Sequence, residues 1–178
     1  MCESRILVLG LGSILMQDEG VGVRVLERLQ GGYTFSANVK LMDGGTLGIR
    51  LMNPILDTDH LIVVDAVKTG SSPGTVHRLS IEELRTKVKE KQSLHQVDFL
   101  ETLHYVKMVR NLPRTVIVGV EPAEMNPWEI ALSEIVGSKV GEIVNRTLEE
   151  VEKAGGRYRP RRDEPARHGN SQTSSVVL

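Results

Sequence analysis

Three polar residues stand at the edges of otherwise apolar runs: Glu19, Asp65 and His95. Glu19 follows the run RILVLG (5–10) by a short glycine-containing loop and opens a helix-like stretch. Asp65 interrupts HLIVVDAV (60–67) near its end, where a buried carboxylate is costly unless it is paired or bound. His95 lies in SLHQ, which reads as a capping box with Ser93 at the N-cap and Gln96 three residues on. Each has a plainer reading. Glu19 complements a helix macrodipole, an effect of about 0.3–1 kcal/mol, and His95 is a polar helix-start residue. Together, two carboxylates and one imidazole make a ligand set for a borderline divalent metal such as zinc, nickel or manganese. A helix start also disfavours the imidazolium and keeps the ring neutral, as a ligand must be. The three are far apart in sequence, so only the fold can gather them.

Two further stretches have a double reading. DGGTLG (43–48) follows an apolar run. It is either an Asp-Gly turn with Thr46 capping a helix, or a loop whose Asp43, Gly44, Gly45 and Thr46 line a cleft for a peptide, glycine allowing close backbone approach. Glu121-Pro122 is either another carboxylate at a strand end or a plain strand terminus. His60, His77 and His104 read as structural or surface residues, and His168 belongs to the tail.

Other chemistries lack their motifs. Gly10-Leu11-Gly12 begins like a dinucleotide fingerprint, but Leu15 stands where the third glycine belongs, and Asp18 and Glu19 would repel a pyrophosphate. There is no GxxxxGK[ST] loop, and Ser13 is not in a GxSxG elbow. A single cysteine, Cys2, rules out a disulfide framework and a cysteine-built zinc site.

The elements that must position these residues follow from periodicity. Residues 5–10, 39–42, 60–67 and 114–120 are short apolar runs of the kind buried on both faces of a parallel sheet. GTVHRL (74–79) alternates and reads as an antiparallel edge strand. Between them come a helix capped by Asp18 and ended by Gly31-Gly32, a helix from Thr46 to about Leu56, a charged stretch over 81–91, the Ser93-capped helix, and a last helix over 130–151. Alternating strands and helices predict an α/β fold: a single three-layer α/β/α sandwich with a twisted, mostly parallel five-stranded sheet and its site at the C-terminal strand ends. Residues 1–154 are expected to form this domain. Residues 155–178, rich in Arg, Pro, Ser and Gly, are expected to be a disordered tail. The formal net charge of -1 gives no reason to expect nucleic acid as a partner, and no apolar run approaches the ~20 residues of a membrane span. With no signal-peptide pattern at the start, the expected location is cytoplasmic.

From Arg5 to about Val151 the chain resembles the hydrogenase maturation proteases, endopeptidases that trim nickel-iron hydrogenase large subunits. The resemblance rests on LGLGSILMQDEGVGVRV, LMDGGTLG, HLIVVDAV, SLHQVDFLETL, and VGVEP followed by ALSEIV, in that order. It implies an α/β/α domain in which Glu19, Asp65 and His95 bind metal and form the catalytic set, with Asp43 as the acid of the DGGT loop. It implies removal of a C-terminal extension from a large-subunit precursor, with nickel supplied by that precursor and zinc able to take its place in vitro. One departure is Ser13, where the family usually has Asn in its GxGN turn. Two other classes stay open on the residues: a nickel or precursor chaperone that does not cut, and a nucleotide-dependent enzyme using the glycine turn.

Overall fold

Runs of Ile, Leu and Val that can be buried on both faces form the centre of the molecule. The computed structural model describes residues 3–87 and 94–161, apart from the side chains of Lys87, Leu94 and His95. Strand β1 (Ile6–Leu11) is flanked by β3 (Val39–Gly45) and β4 (His60–Ala66), and β4 continues to β6 (Arg114–Val120), all parallel. Strand β5 (Val76–Leu79) closes one edge antiparallel to β6, giving the order β3-β1-β4-β6-β5. The five-stranded, mostly parallel sheet and its antiparallel edge are as expected from the apolar runs.

Side chains alternate across the sheet, and that parity divides the core in two. Ile6 and Val8 of β1, with Ile62 and Val64 of β4, pack under α1 (Val21–Gly32) and α5 (Glu134–Lys153). Leu7, Leu9 and Leu11, with Leu61 and Val63, face α2 (Met52–Leu56), α3 (Ile81–Lys87) and α4 (Leu94–Val109). Phe99 of α4 is 2 % exposed at the centre of that second layer. No helix of the described residues is long and apolar enough to cross a membrane.

Several expected boundaries differ. Asp18 does not cap a helix. It lies inside a 3-10 turn (Gln17–Gly20) that precedes α1, and Met16 is the N-cap residue of that turn, with no side-chain cap. Thr46 is not a cap either: the stretch becomes a 3-10 turn (Gly48–Leu51) running into the short α2. The last helix starts at Glu134 rather than Ile130, with Ser133 as N-cap accepting from Val136 N–H at 3.3 Å. Ile135, in its first turn, is half exposed.

Order also extends past Gly155, where a tail was expected. Tyr158–Pro160 forms β7, antiparallel to β2 (Tyr33–Phe35). The contact is made by aromatic rings: Tyr33 and Tyr158 meet edge-on at 5.6 Å, and Phe35 lies 6.3 Å from Tyr158. The rest of the expected tail, 162–178, lies outside the described residues, as do Ser93 and residues 88–91 of the charged stretch.

Candidate functional site at the crest of the sheet

The chain leaves β1 at Gly12, whose φ of +109° suits glycine. A Cβ here would stand 1.7 Å from the carbonyl oxygen of Glu19, so the absence of a side chain lets the 3-10 turn fold back onto the strand end. Gly22 does the same for α1. Its missing Cβ would lie 2.3 Å from the carbonyl oxygens of Leu11 and Val64. These two close approaches seat the acidic turn on the C-terminal ends of β1 and β4. Ser13 accepts from Leu15 N–H through Oγ at 3.4 Å, a side-chain contact to the backbone of the turn.

The two adjacent acids of this turn do different things. Asp18 is fully buried. Its Oδ2 accepts from Ala123 N–H (2.9 Å), Glu124 N–H (2.9 Å) and Ser133 Oγ–H (2.8 Å), and its Oδ1 accepts from Ser133 N–H (2.8 Å). Gln17 adds to this hold. Its amide donates to Glu124 Oε2 at 2.9 Å and accepts from Asn126 Nδ2 at 3.0 Å. The loop after β6 is thereby tied to the turn that carries Glu19. Glu19 is itself buried, 8 % exposed, and its turn packs against β4.

Asp65 lies near the end of β4, opposite Gly119 of β6, and is 3 % exposed. Its Oδ1 accepts from Ala66 N–H at 2.8 Å. Its Oδ2 accepts from the side-chain amide of Gln96 at 2.8 Å, and the same Gln96 nitrogen donates to Ala66 O at 2.7 Å. Gln96 therefore donates into the strand end; Ser93, its partner in the expected capping box, lies outside the described residues. His95, the preceding residue, belongs to the first turn of α4; its side chain lies outside the described residues. The turn of Glu19, the end of β4 and the first turn of α4 thus meet at one crest. Among the described residues no group of three or more His, Cys, Asp and Glu forms a ready metal-binding cluster.

The DGGT loop takes its turn form. Asp43 is exposed and its Oδ1 accepts from Gly45 N–H at 2.9 Å. Gly44 is buried in a bulge between Gly10 and Leu11, where a Cβ would meet Leu9 Cδ1 at 2.7 Å. Gly45 O accepts from Gly12 N–H at 3.1 Å, which joins this loop to the acidic turn. Thr46 stands on the rim of a cleft of about 670 Å³, walled by Leu47, Ile49, Met52, Tyr105 and Met108.

Glu121 is a loop anchor. Its Oε2 accepts from Thr69 N–H and Thr69 Oγ–H, both at 2.8 Å, and from Ser71 N–H at 3.3 Å. It fixes the 69–71 loop beside β4. His77 reaches the same group through Thr69 Oγ1 at 3.2 Å. Beside the acidic turn, Ile14, Leu15 and Trp128 form an exposed apolar ridge, with Trp128 81 % exposed and its backbone N–H donating to Leu15 O at 2.7 Å.

Four similarities to known proteins bear on this arrangement. The family model of the HycI-type hydrogenase maturation proteases matches residues 23–150. The hydrogenase 2 maturation protease of Escherichia coli is 35 % identical over 159 residues, covering 88 % of this chain and 96 % of that protein. The hydrogenase expression/formation protein HupD of Thiocapsa roseopersicina is 37 % identical over 163 residues, 90 % of this chain and 74 % of HupD. Among solved structures, the hydrogenase maturating endopeptidase HybD of Escherichia coli superposes with a TM-score of 0.82 at 34 % identity, covering 88 % of this chain and 98 % of HybD. In fold and in sequence alike, the chain belongs to the hydrogenase maturation protease family.

Proposed function

We propose that this protein is an endopeptidase that removes a C-terminal extension from the precursor of a nickel-iron hydrogenase large subunit once nickel has been inserted. The observation that carries this reading is the burial of two carboxylates, Glu19 and Asp65, at the crest where the first turn of α4 carries His95. Two buried carboxylates next to an imidazole-bearing helix start supply a donor set that suits a divalent cation.

The donor chemistry suits that cation. Carboxylate oxygens and an imidazole nitrogen are ligands for nickel, and also for zinc in vitro. The described donors to Asp65, Ala66 N–H and the Gln96 amide, are uncharged. On this reading Glu19, Asp65 and His95 engage the nickel already held by the precursor, so that cutting checks that the metal is loaded. Glu19, Asp65 and His95 would hold the metal, which when bound would supply Lewis-acid chemistry toward a carbonyl or a water. The exposed ridge of Ile14, Leu15 and Trp128, and the cleft lined by Thr46, offer apolar surface to a polypeptide substrate. Thr46 lines that cleft, and Asp43, Gly44 and Gly45 lead the chain into it from the end of β3.

The test is to follow shortening of a cognate precursor by Glu19→Gln, Asp65→Asn and His95→Ala. Each is expected to reduce processing at least ~100-fold with the melting temperature held near wild type. Wild-type processing by all three would remove the proposed ligands from the reaction. A wild-type protein that binds the loaded cognate precursor without shortening it would instead be a chaperone.

A further inference from the structure

We propose that Gln96 is a positioning residue that fixes Asp65 and the first turn of α4 relative to one another, ahead of metal engagement; this rests on the reading of Asp65 and His95 as metal ligands. Gln96 is 5 % exposed. Its side-chain nitrogen uses one hydrogen on Asp65 Oδ2 (2.8 Å) and the other on Ala66 O (2.7 Å). Asp65 Oδ1 is held in turn by Ala66 N–H at 2.8 Å. One planar amide thus grips a carboxylate and the next peptide group together, which fixes the rotation of the Asp65 side chain.

The grip also crosses elements. Asp65 is on β4 and Gln96 is on α4, one residue after His95. A bond from Gln96 to the strand end sets the spacing between the two elements that carry these two ligands. The residue type matters as well. Lys or Arg would hold Asp65 with a positive charge that competes with a metal cation. A carboxylate lacks the two donors, and Asn is one methylene shorter. Glutamine supplies two donors and no charge. Partners of this kind orient ligands, and their loss typically lowers metal affinity or activity about 10–100-fold.

The experiment uses the full chain with Gln96→Met, which keeps length and removes both donors. Processing of the cognate precursor is resolved into kcat and KM, and Zn2+ affinity is measured by calorimetry on the protein alone. The expected result is a kcat about 10–100-fold lower with KM changed less than about 2-fold, and a Zn2+ affinity about 10–100-fold weaker. A purely structural role would lower the melting temperature and leave kcat per folded molecule unchanged. Should the variant not fold, the side-chain NH2 of Gln96 in the wild type is read by NMR: slow exchange of both protons supports the clamp, and exchange as fast as that of a solvent-exposed glutamine overturns it. A wild type that cuts and binds Zn2+, matched in both by Gln96→Met, overturns the positioning role and leaves the proposed function standing. A wild type that does neither overturns both.

Discussion

Replacing Asp18 with alanine separates the two neighbouring acids by what they do. Asp18 accepts four hydrogen bonds, and two of them come from Ser133, whose backbone and side chain are buried. The amides of Ala123 and Glu124 are nearer the surface and regain water when the carboxylate is lost. The Ser133 N–H and Oγ–H do not. At about 1.5–2 kcal/mol for each charge-assisted bond left unmade in a buried place, Asp18→Ala should destabilise by about 3–4 kcal/mol. Ser133 is also the N-cap of α5, so losing its anchor loosens the start of a 20-residue helix. For a chain of this size each kcal/mol moves the melting temperature by about 2–4 °C, so the expected drop is about 10 °C by calorimetry. Proteolysis should then open the 122–133 loop first, because that loop is what Asp18 holds. Glu19→Gln, one residue away, should keep the melting temperature and lose processing. A melting temperature for Asp18→Ala within about 2 °C of wild type would refute the reasoning that this carboxylate is a structural anchor.

Other outcomes follow from the same geometry. Gly12→Ala forces a side chain into a φ of +109° and against the Glu19 carbonyl. It should cost at least about 2 kcal/mol and displace Glu19, so that calorimetry and processing fall together. Asp59 is held by the side chain and then the backbone N–H of Arg5, which take its pKa from 3.8 to about 2. A lowered native pKa means that the folded form binds fewer protons there. The stabilisation is present above pH 4 and is lost as pH falls toward 2. Asp59 is over a third exposed, so screening limits the effect to less than about 1 kcal/mol. Asp59→Asn should flatten acid unfolding curves in that window. Glu121→Ala should speed amide hydrogen exchange at Thr69 and Ser71, since their N–H groups donate to that carboxylate.

The elements built on apolar runs could be read directly from the chain. Strands β1, β4 and β6 are continuous Val, Leu and Ile because both faces are covered, and no competing pattern hides them. The pairing of β2 with β7 was not legible. Each strand has three residues, too few for a period, and they join across more than 120 positions through three aromatic rings. Asp18 misled for a similar reason. An acid before a helix suits an N-cap, but its partners are more than 100 residues away, on a loop whose path no local pattern gives. The contact of Gln96 with the strand end was not legible in the Ser-x-x-Gln pattern of 93–96, because its partners Asp65 and Ala66 lie about 30 residues away on β4. Glu19 and Asp65 were legible as candidates because each carries a charge into a place where the surrounding residues demand burial. Their assembly at one crest depends on Gly12 and Gly22, whose small size matters only once the turn is folded onto the strands.

The central claim is that cutting waits for the metal. It is tested most directly by mass spectrometry of a cognate large-subunit precursor, nickel-loaded and nickel-free, incubated with the wild-type protein. The account predicts loss of one C-terminal peptide from the loaded precursor and an intact nickel-free one. Equal shortening of both forms would contradict it.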